Sequence, residues 1–378
     1  MKKMGDEKIK WEFEKLLNHP DPYHIPIKEL KQMKLKAFKQ ALAYHFENCP
    51  EYREYCKLHK VKPSDIKTYE DLAKMQPIPS DIFRDAKKLV LSVPESQIVT
   101  VFTTSGTSGT PSRYPFDMEN MKRMAPGIAK GFLQVGDLKG GTIIMLTPSP
   151  EESDTGMVQG FHHAMKFLGY PDEKIIYAVR EGKFEPEYVI EAVEKSERPQ
   201  HLFGPPFAFV ELVNYLKAKK MTLELDKKSR LLTSGGWKKV KGEISRNEFE
   251  NLLSEAFGVE KNQFRDTYGL TDVMSGMVEC EYHKKHVPPW IHVSVRDPAN
   301  TDREVSPNKV GLITFSSCLI YSYPAFSMPG DMAVAEEGTC KCGRIGQIVE
   351  HKGRISKLGA RGCALRLEQF MNIITKEK

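Results

Sequence analysis

The chain opens on a helical pattern. Leu35, Phe38, Leu42 and Phe46 recur at spacings of three and four and mark one apolar face between lysine-rich turns. Pro63, Pro77 and Pro79 break that period, and a short helix is predicted at 80–88. Two periods alternate from there on. Aliphatic and β-branched runs at 98–103, 142–146, 230–233 and 310–316 predict strands, and segments of helical period at 185–194, 209–216 and 248–257 predict helices among them. Such alternation predicts an α/β architecture with helices packed on a sheet. Past Gly311 the helical signal fades, and Pro324, Pro329 and Gly330 punctuate a β-rich region. The pattern shows neither a repeat of fixed period nor a low-complexity segment.

Composition narrows the class. A chain of 378 residues is long for one compact core, so two or three substructures are expected. A net charge of +6 suits an anionic ligand such as a nucleotide, but no basic block interleaved with aromatics points to nucleic acid. The opening Met1-Lys-Lys-Met-Gly-Asp-Glu lacks the apolar run of a secretory signal, and no stretch approaches the roughly 18 apolar residues that span a bilayer. Seven scattered cysteines form no dense framework, so the expectation is a cytoplasmic protein.

The sharpest local feature follows the strand at 98–103. Thr103-Thr-Ser-Gly-Thr-Ser-Gly-Thr-Pro-Ser-Arg113 packs hydroxyls and glycines into one loop, so backbone N–H groups can approach an anion while hydroxyls wrap its oxygens. Arg113 adds a fixed positive charge. No Gly-Lys-Ser/Thr follows at the Walker spacing. The plain alternative is a Ser/Thr/Gly linker.

This loop resembles the phosphate loop of the acyl-adenylate-forming superfamily, with Ser112 where that family usually has Lys. Tyr268-Gly-Leu-Thr-Asp272 resembles the family's Tyr-Gly-x-Thr-Glu segment with Asp in place of Glu. The resemblance implies that Thr104, Ser105, Gly106, Thr107, Ser108, Gly109 and Thr110 hold phosphate, that Tyr268 and Gly269 flank adenine, that Thr271 meets the phosphates and that Asp272 holds Mg²⁺. Ser234, Gly235 and Gly236, in Ser234-Gly-Gly-Trp237, resemble the turn whose backbone lines the adenine. Asp331 and Arg354 match the positions that reach the ribose, Arg354 from the hinge motif Gly353-Arg354. Asp266, in Arg265-Asp-Thr267, is counted with the nucleotide-binding residues.

Within that superfamily the chain resembles the LuxE-type acyl-protein synthetases over nearly its whole length, in phrases such as Phe46-Glu-Asn-Cys-Pro-Glu-Tyr-Arg-Glu-Tyr55, Val287-Pro-Pro-Trp290, Tyr323-Pro-Ala-Phe326 and Gly362-Cys-Ala-Leu365. The implied fold is the large N-terminal domain of these enzymes: helix-flanked sheets plus a small β-rich subdomain, with the C-terminal domain truncated. The expected division is a helical segment at 1–90, an α/β adenylation core at 91–305, the β-rich subdomain at 306–353 and a short remnant at 354–378. Only 24 residues follow Arg354, too few for an independent core, and Lys376 and Lys378 are expected in a fraying tail. Arg113 is then the candidate for stabilising the adenylation transition state.

The implied activity is ATP- and Mg²⁺-dependent conversion of a fatty acid to an acyl-adenylate. Acyl transfer follows to Cys363, helped by Arg361 lowering the thiol pKa, and then to a reductase or other acceptor protein. Two alternatives stand beside it: a ligase loading CoA or a carrier protein with a fatty or aryl acid, and a nucleotide-binding subunit without catalysis. Phe203, Phe207, Phe209 and Trp290 suggest an apolar acid pocket, or plain core. Separately, Cys280-x5-His286 and Cys340-x-Cys342 offer three thiolates and one imidazole, a donor set that favours structural Zn²⁺, with His283 as a spare. A set of this form resembles the zinc ligands of phenylacetate–CoA ligase relatives.

Overall fold

The computed structural model describes residues 11–104, 110–236, 244–355 and 361–376. Its first half runs α1 (Phe13–Leu17), α2 (Ile27–Asn48), α3 (Pro50–Leu58), β1 (Ile78–Pro79), α4 (Ile82–Asp85), β2 (Ile98–Thr103), β3 (Arg113–Asp117), α5 (Met118–Gln134), β4 (Thr142–Met145) and α6 (Gly156–Phe167). Next come β5 (Ile175–Tyr177), β6 (Val179–Arg180), β7 (Lys183–Phe184), α7 (Pro186–Lys195), β8 (Gln200–Gly204), α8 (Pro206–Ala218), β9 (Leu231–Ser234), α9 (Arg246–Phe257) and β10 (Phe264–Leu270). The last third is β11 (Ser275–Glu279), β12 (Lys285–His286), β13 (Ile291–Arg296), β14 (Gly311–Ser317), β15 (Phe326–Met328), β16 (Asp331–Thr339), β17 (Ile345–Arg354) and α10 (Arg361–Lys376).

A single sheet organises the molecule, in the order β1-β15-β14-β16-β17-β12-β11-β10-β9-β8-β4-β5, with β13 on the far side of β14. The run from β10 to β5 is parallel. Every residue of β4 and β8 is buried, as expected for strands covered on both faces. On one face α7, α8 and α9 pack Val189, Leu212, Leu216, Leu253 and Phe257 against Ile144, Leu146 and Leu202. On the other, α5 and α6 set Phe132 and Phe161 against Ile143, Met145 and Phe203. Helix-covered parallel strands of this kind place ligands at the strands' carboxyl ends.

Local chemistry explains the boundaries. Helix α9 starts at a capping box, Ser245 with Glu248, and stops at Gly258, whose φ of 64° suits a residue without Cβ. Helix α2 lies between Pro26 and Pro50 and buries Leu30, Ala37, Phe38, Ala41 and Leu42 along one stripe. That stripe also buries Lys34 and His45, so the face is wider than the four apolar positions legible in sequence. Lys34 Nζ donates to the Ile291 carbonyl (2.8 Å) and Gln347 Oε1 (3.1 Å), tying the N-terminal helices to the β-rich end.

The C-terminus departs from the sequence reading. Residues expected as a remnant with a fraying tail form the 16-residue helix α10, which reaches Lys376 and packs on α3, β1 and α4. Phe370 and Ile374 are buried, and Arg366 inserts into the seam. Arg366 donates to Thr301 Oγ1 (2.6 Å), Tyr55 Oη (2.8 Å), Gln76 Oε1 (2.9 Å) and Asp302 Oδ1 (2.5 Å). No helix among the described residues is long and apolar enough to cross a membrane.

Candidate active site and metal centre

The carboxyl ends of β9 and β10 carry two of the sequence motifs. Ser234 closes β9 and pairs with Thr267, and Gly235 and Gly236 follow with φ of 86° and 61°. These positive values require glycine and turn the backbone sharply off the strand end. Tyr268 comes one residue after Thr267, and its phenol donates to Asp331 Oδ2 at 2.6 Å. Arg354 reaches the same carboxylate, Nε to Oδ1 at 3.0 Å, because Asp331 and Arg354 are cross-strand partners on β16 and β17. Burial would push the Asp331 carboxyl up, but His351, Tyr268 and Arg354 outweigh it and hold it below its ordinary value. Burial and the Asp331 charge push the Tyr268 phenol up, so it stays the donor. His351 completes the group, its ring 5.0 Å from that of Tyr268.

The root of the hydroxyl-rich loop lies on the same side. Strands β2 and β3 form a hairpin, with the Thr104 amide donating to the Ser112 carbonyl (3.2 Å) and the Ser112 amide to Thr104 Oγ1 (3.0 Å). Thr103 bridges to Thr155 ahead of α6 and donates to Asp154 Oδ1 at 3.2 Å. A Cβ on Gly156 would stand 2.7 Å from Thr271 Cγ2, so the hairpin root, the start of α6 and Thr271 are in direct succession. Thr110 is described; Ser105, Gly106, Thr107, Ser108 and Gly109 lie outside the described residues, as does Trp237. Arg113 stands cross-strand from Thr103, and its Nη2 donates to the Ala86 carbonyl at 3.0 Å.

Asp272 is buried, and Ser80 and Ser327 both donate hydroxyls to its Oδ2, while its carbonyl accepts from Tyr323 Oη at 3.0 Å. A buried carboxylate flanked by hydroxyls is a hard oxygen ligand of the kind Mg²⁺ takes. Next to Ser80 is Asp81, whose charge acts on Cys363 in the first turn of α10. The activation expected from Arg361 rests on a side chain outside the described residues. Burial, then Asp81, pushes Cys363 up to about 11 against a smaller lowering by Arg366. Of the four aromatics suggested for an acid pocket, Phe203, Phe209 and Trp290 are core residues, and Phe207 is 36% exposed.

The four soft donors converge. Ligand atoms of Cys280, His286, Cys340 and Cys342 all lie within 4.8 Å of one another, and Cys342 Sγ is 3.4 Å from His286 Nε2. Two similar turns build the cluster. In each, the amide of the first cysteine donates to a carbonyl four residues on, Cys280 to Lys284 (3.0 Å) and Cys340 to Arg344 (2.8 Å). In each, the fourth position has positive φ, His283 at 56° and Gly343 at 86°. Burial brings the His286 pKa down to about 4, so its imidazole is neutral and ligand-ready. Three thiols this close cannot ionise together without a cation among them, and three sulfurs with one nitrogen fit Zn²⁺. His283, the spare ligand, instead sits 2.8 Å from Arg246.

Between the two sites runs an ionic network that the motifs did not flag. Glu279, fully buried beside Cys280, accepts from Arg246 Nη1 (2.6 Å) and Nη2 (2.8 Å), the Asp266 amide (3.0 Å) and Lys285 Nζ (3.1 Å). Asp266 in turn accepts from Thr233 Oγ1 (2.7 Å) and pairs with Lys285 (2.8 Å). Burial would raise the Glu279 pKa; the bonds from Arg246 and His283 and the Lys285 charge hold it well below the carboxylate range. Asp266 therefore faces Thr233 and Lys285, two residues before Tyr268. Ser80, Ser327 and His351 were likewise missed, since single Ser and His residues carry no spacing signal.

The profile of the acyl-protein synthetases called LuxE matches residues 4–372. The chain belongs to this LuxE family. It is 26% identical to a long-chain-fatty-acid–luciferin-component ligase of Aliivibrio fischeri, over 97% of this chain and 95% of the relative. It is 28% identical to a protein of the same description from Vibrio harveyi, over 95% and 93%. Membership makes this LuxE chain an acyl-adenylate-forming ligase. Among solved structures, a 2-hydroxyisobutyryl-CoA ligase in complex with 2-HIB-AMP and CoA superposes with a TM-score of 0.71 at 19% identity, covering 89% of this chain and 78% of the other, which establishes the fold.

Proposed function

We propose that this LuxE-family chain activates a fatty acid with ATP and passes the acyl group through its own Cys363 to an acceptor protein, such as a reductase. In the first step a carboxylate oxygen attacks the α-phosphorus of ATP, pyrophosphate leaves and an acyl-adenylate forms. In the second, the Cys363 sulfur attacks the acyl carbon, AMP leaves and the thiol proton passes to solvent. The convergence of Tyr268, Asp331 and Arg354 beside the Ser234-Gly-Gly turn carries this reading, because it gathers a ring for the base, a carboxylate for ribose hydroxyls and a cation at one strand end. Thr103, Thr104 and Thr271 supply the phosphate side, and Arg113 is the cation for charge that develops there. Mg²⁺, when bound with the nucleotide, would neutralise phosphate charge, with Asp272 as its protein ligand.

Acid-dependent exchange of pyrophosphate into ATP over a panel of fatty and aryl acids tests the first step; no exchange with any acid overturns it. A second reading is a ligase that loads CoA or a carrier protein. The raised Cys363 pKa favours it, since a thiol held up to about 11 is a poor nucleophile at neutral pH. Labelled acid with ATP separates the two: hydroxylamine-sensitive label on the chain supports the first, and acyl-CoA with no labelled protein supports the second. We further propose that Cys280, His286, Cys340 and Cys342 hold one structural Zn²⁺, pinning the 280–286 turn to the start of β17. Four protein ligands leave no open position, so the ion takes no part in the chemistry.

A further inference from the structure

At the end of the sheet opposite the nucleotide site lies a cavity of about 420 Å³, bordered by Lys227, Arg230, Arg265 and Arg344 with Asp137 and Glu281. Arg230 immediately precedes β9, and Arg265 is the second residue of β10. Tyr268 is three residues further on, about 10 Å away at strand rise, so the two sites share a strand but not an opening.

The charges here do not balance. Asp137 is taken by Arg230 (2.5 Å) and Lys139 (2.7 Å), and Glu281 by Arg344 (3.2 Å). Lys227 and Arg265 are left without a carboxylate at ion-pair distance among the described residues. Arg265 is the telling member, at 2% exposure. Its Nη1 donates only to the main-chain carbonyls of Asn262 (2.5 Å) and Phe264 (2.8 Å), and its buried Nε has no acceptor. The Arg230 Nε is buried and unpartnered as well. Burial, then repulsion from Arg230, brings the Arg265 pKa down to about 10, which registers the cost of keeping this cation dry. The neighbouring cysteine cluster does not remove the excess. Three thiolates around a divalent cation carry one net negative charge against two surplus cations.

We propose that this cavity binds a small phosphate-bearing anion. Guanidinium groups match phosphate oxygens in geometry and charge, and cations approaching from several segments suit a tetrahedral oxyanion better than a planar carboxylate. The volume lies within the range of small-molecule sites and exceeds what phosphate alone would fill, so a phosphomonoester is the expected form. The proposal does not depend on the adenylation reading.

Calorimetric titration of the full-length chain with inorganic phosphate and with ribose 5-phosphate, at constant ionic strength, tests it. Saturable binding is expected, tighter for the phosphomonoester; equal affinity would assign the site to free phosphate. Lys227→Glu, at an exposed position, should weaken binding at least fivefold, and Lys227→Ala with Arg230→Gln at least tenfold. Arg113→Ala, at the nucleotide site, should leave this binding in place. Absence of binding beyond an ionic-strength effect overturns the proposal. So does the reverse pattern, in which Arg113→Ala removes binding and Lys227→Glu does not.

Discussion

Replacing Glu279 by glutamine removes one negative charge from a fully buried position while keeping size and one acceptor oxygen. The carboxylate serves Arg246 twice, Lys285 once and the Asp266 amide once, so glutamine takes one of two counter-charges from each cation, leaving Glu250 on Arg246 and Asp266 on Lys285. Breaking a buried pair by removing one partner costs about 3–5 kcal/mol, and the half-exposed Arg246 side chain lets water recover part of its charge. A loss of about 3 kcal/mol at pH 7 is therefore expected. The pH dependence has a definite sign. The folded-state pKa of Glu279 is depressed, so its contribution is complete above the unfolded value of about 4.3 and fades as pH falls toward the lower folded one. The gap between wild type and Glu279→Gln should be full at pH 7 and should narrow from about pH 5 downward. Urea unfolding followed by near-UV circular dichroism at pH 7, 5 and 4 reads both quantities. Equal midpoints at pH 7, or a gap that does not change with pH, would refute the assignment of Glu279 as the ionised hub of this network.

Asp331→Ala should raise the KM for ATP in pyrophosphate exchange by roughly ten- to a hundredfold, the worth of charge-assisted hydrogen bonds, and an unchanged KM would remove Asp331 from the ribose site. Metal analysis of purified protein should give one zinc per chain, and Cys340→Ser or chelation should lower the thermal midpoint by several degrees; retained stability without metal sinks the structural role. Cys363→Ser should abolish thioester labelling while leaving pyrophosphate exchange largely intact. With its thiol at about 11, self-acylation of the wild type should climb close to tenfold per pH unit from 7 to 9, and a plateau below pH 8 would show that another group lowers that pKa in the working complex.

The architecture was readable where period and burial coincide. The run at 98–103 is the strand Ile98–Thr103, and 142–146, 230–233 and 310–316 fall within a residue of β4, β9 and β14. Helix α10 was not readable. Its buried positions Gly362, Arg366, Phe370 and Ile374 recur every fourth residue, but glycine and arginine hide the stripe, and Arg366 is inside only because Thr301, Tyr55, Gln76 and Asp302 receive it. The candidate site divides along the same line. Tyr268-Gly-Leu-Thr-Asp272 and Cys340-x-Cys342 carry their chemistry in spacing. The residues that hold them do not: Ser80 stands 192 positions before Asp272, and Glu279 reads as an ordinary surface acid until the fold buries it.

That docking of α10 changes how the two proposed half-reactions relate. In the sequence, Cys363 stands nine residues beyond Arg354 of the hinge motif. In the fold, α10 packs on α4, Cys363 feels the charge of Asp81 just ahead of α4, and the adjacent Ser80 donates to Asp272. One dipeptide thus separates the proposed acyl acceptor from the proposed metal ligand. A long excursion of α10 would have to extract Arg366, which is 2% exposed, from four hydrogen bonds, and Phe370 from the core. Dissociation of that whole helix in each turnover is disfavoured by the same contacts. The economical motion lies in the first turn of α10, where Gly362 and Cys363 precede the Arg366 anchor. A disulfide or cross-link fixing α10 to α3 beyond Arg366 should then leave acyl transfer intact, whereas loss of transfer in the locked chain would mean that the helix leaves its seat.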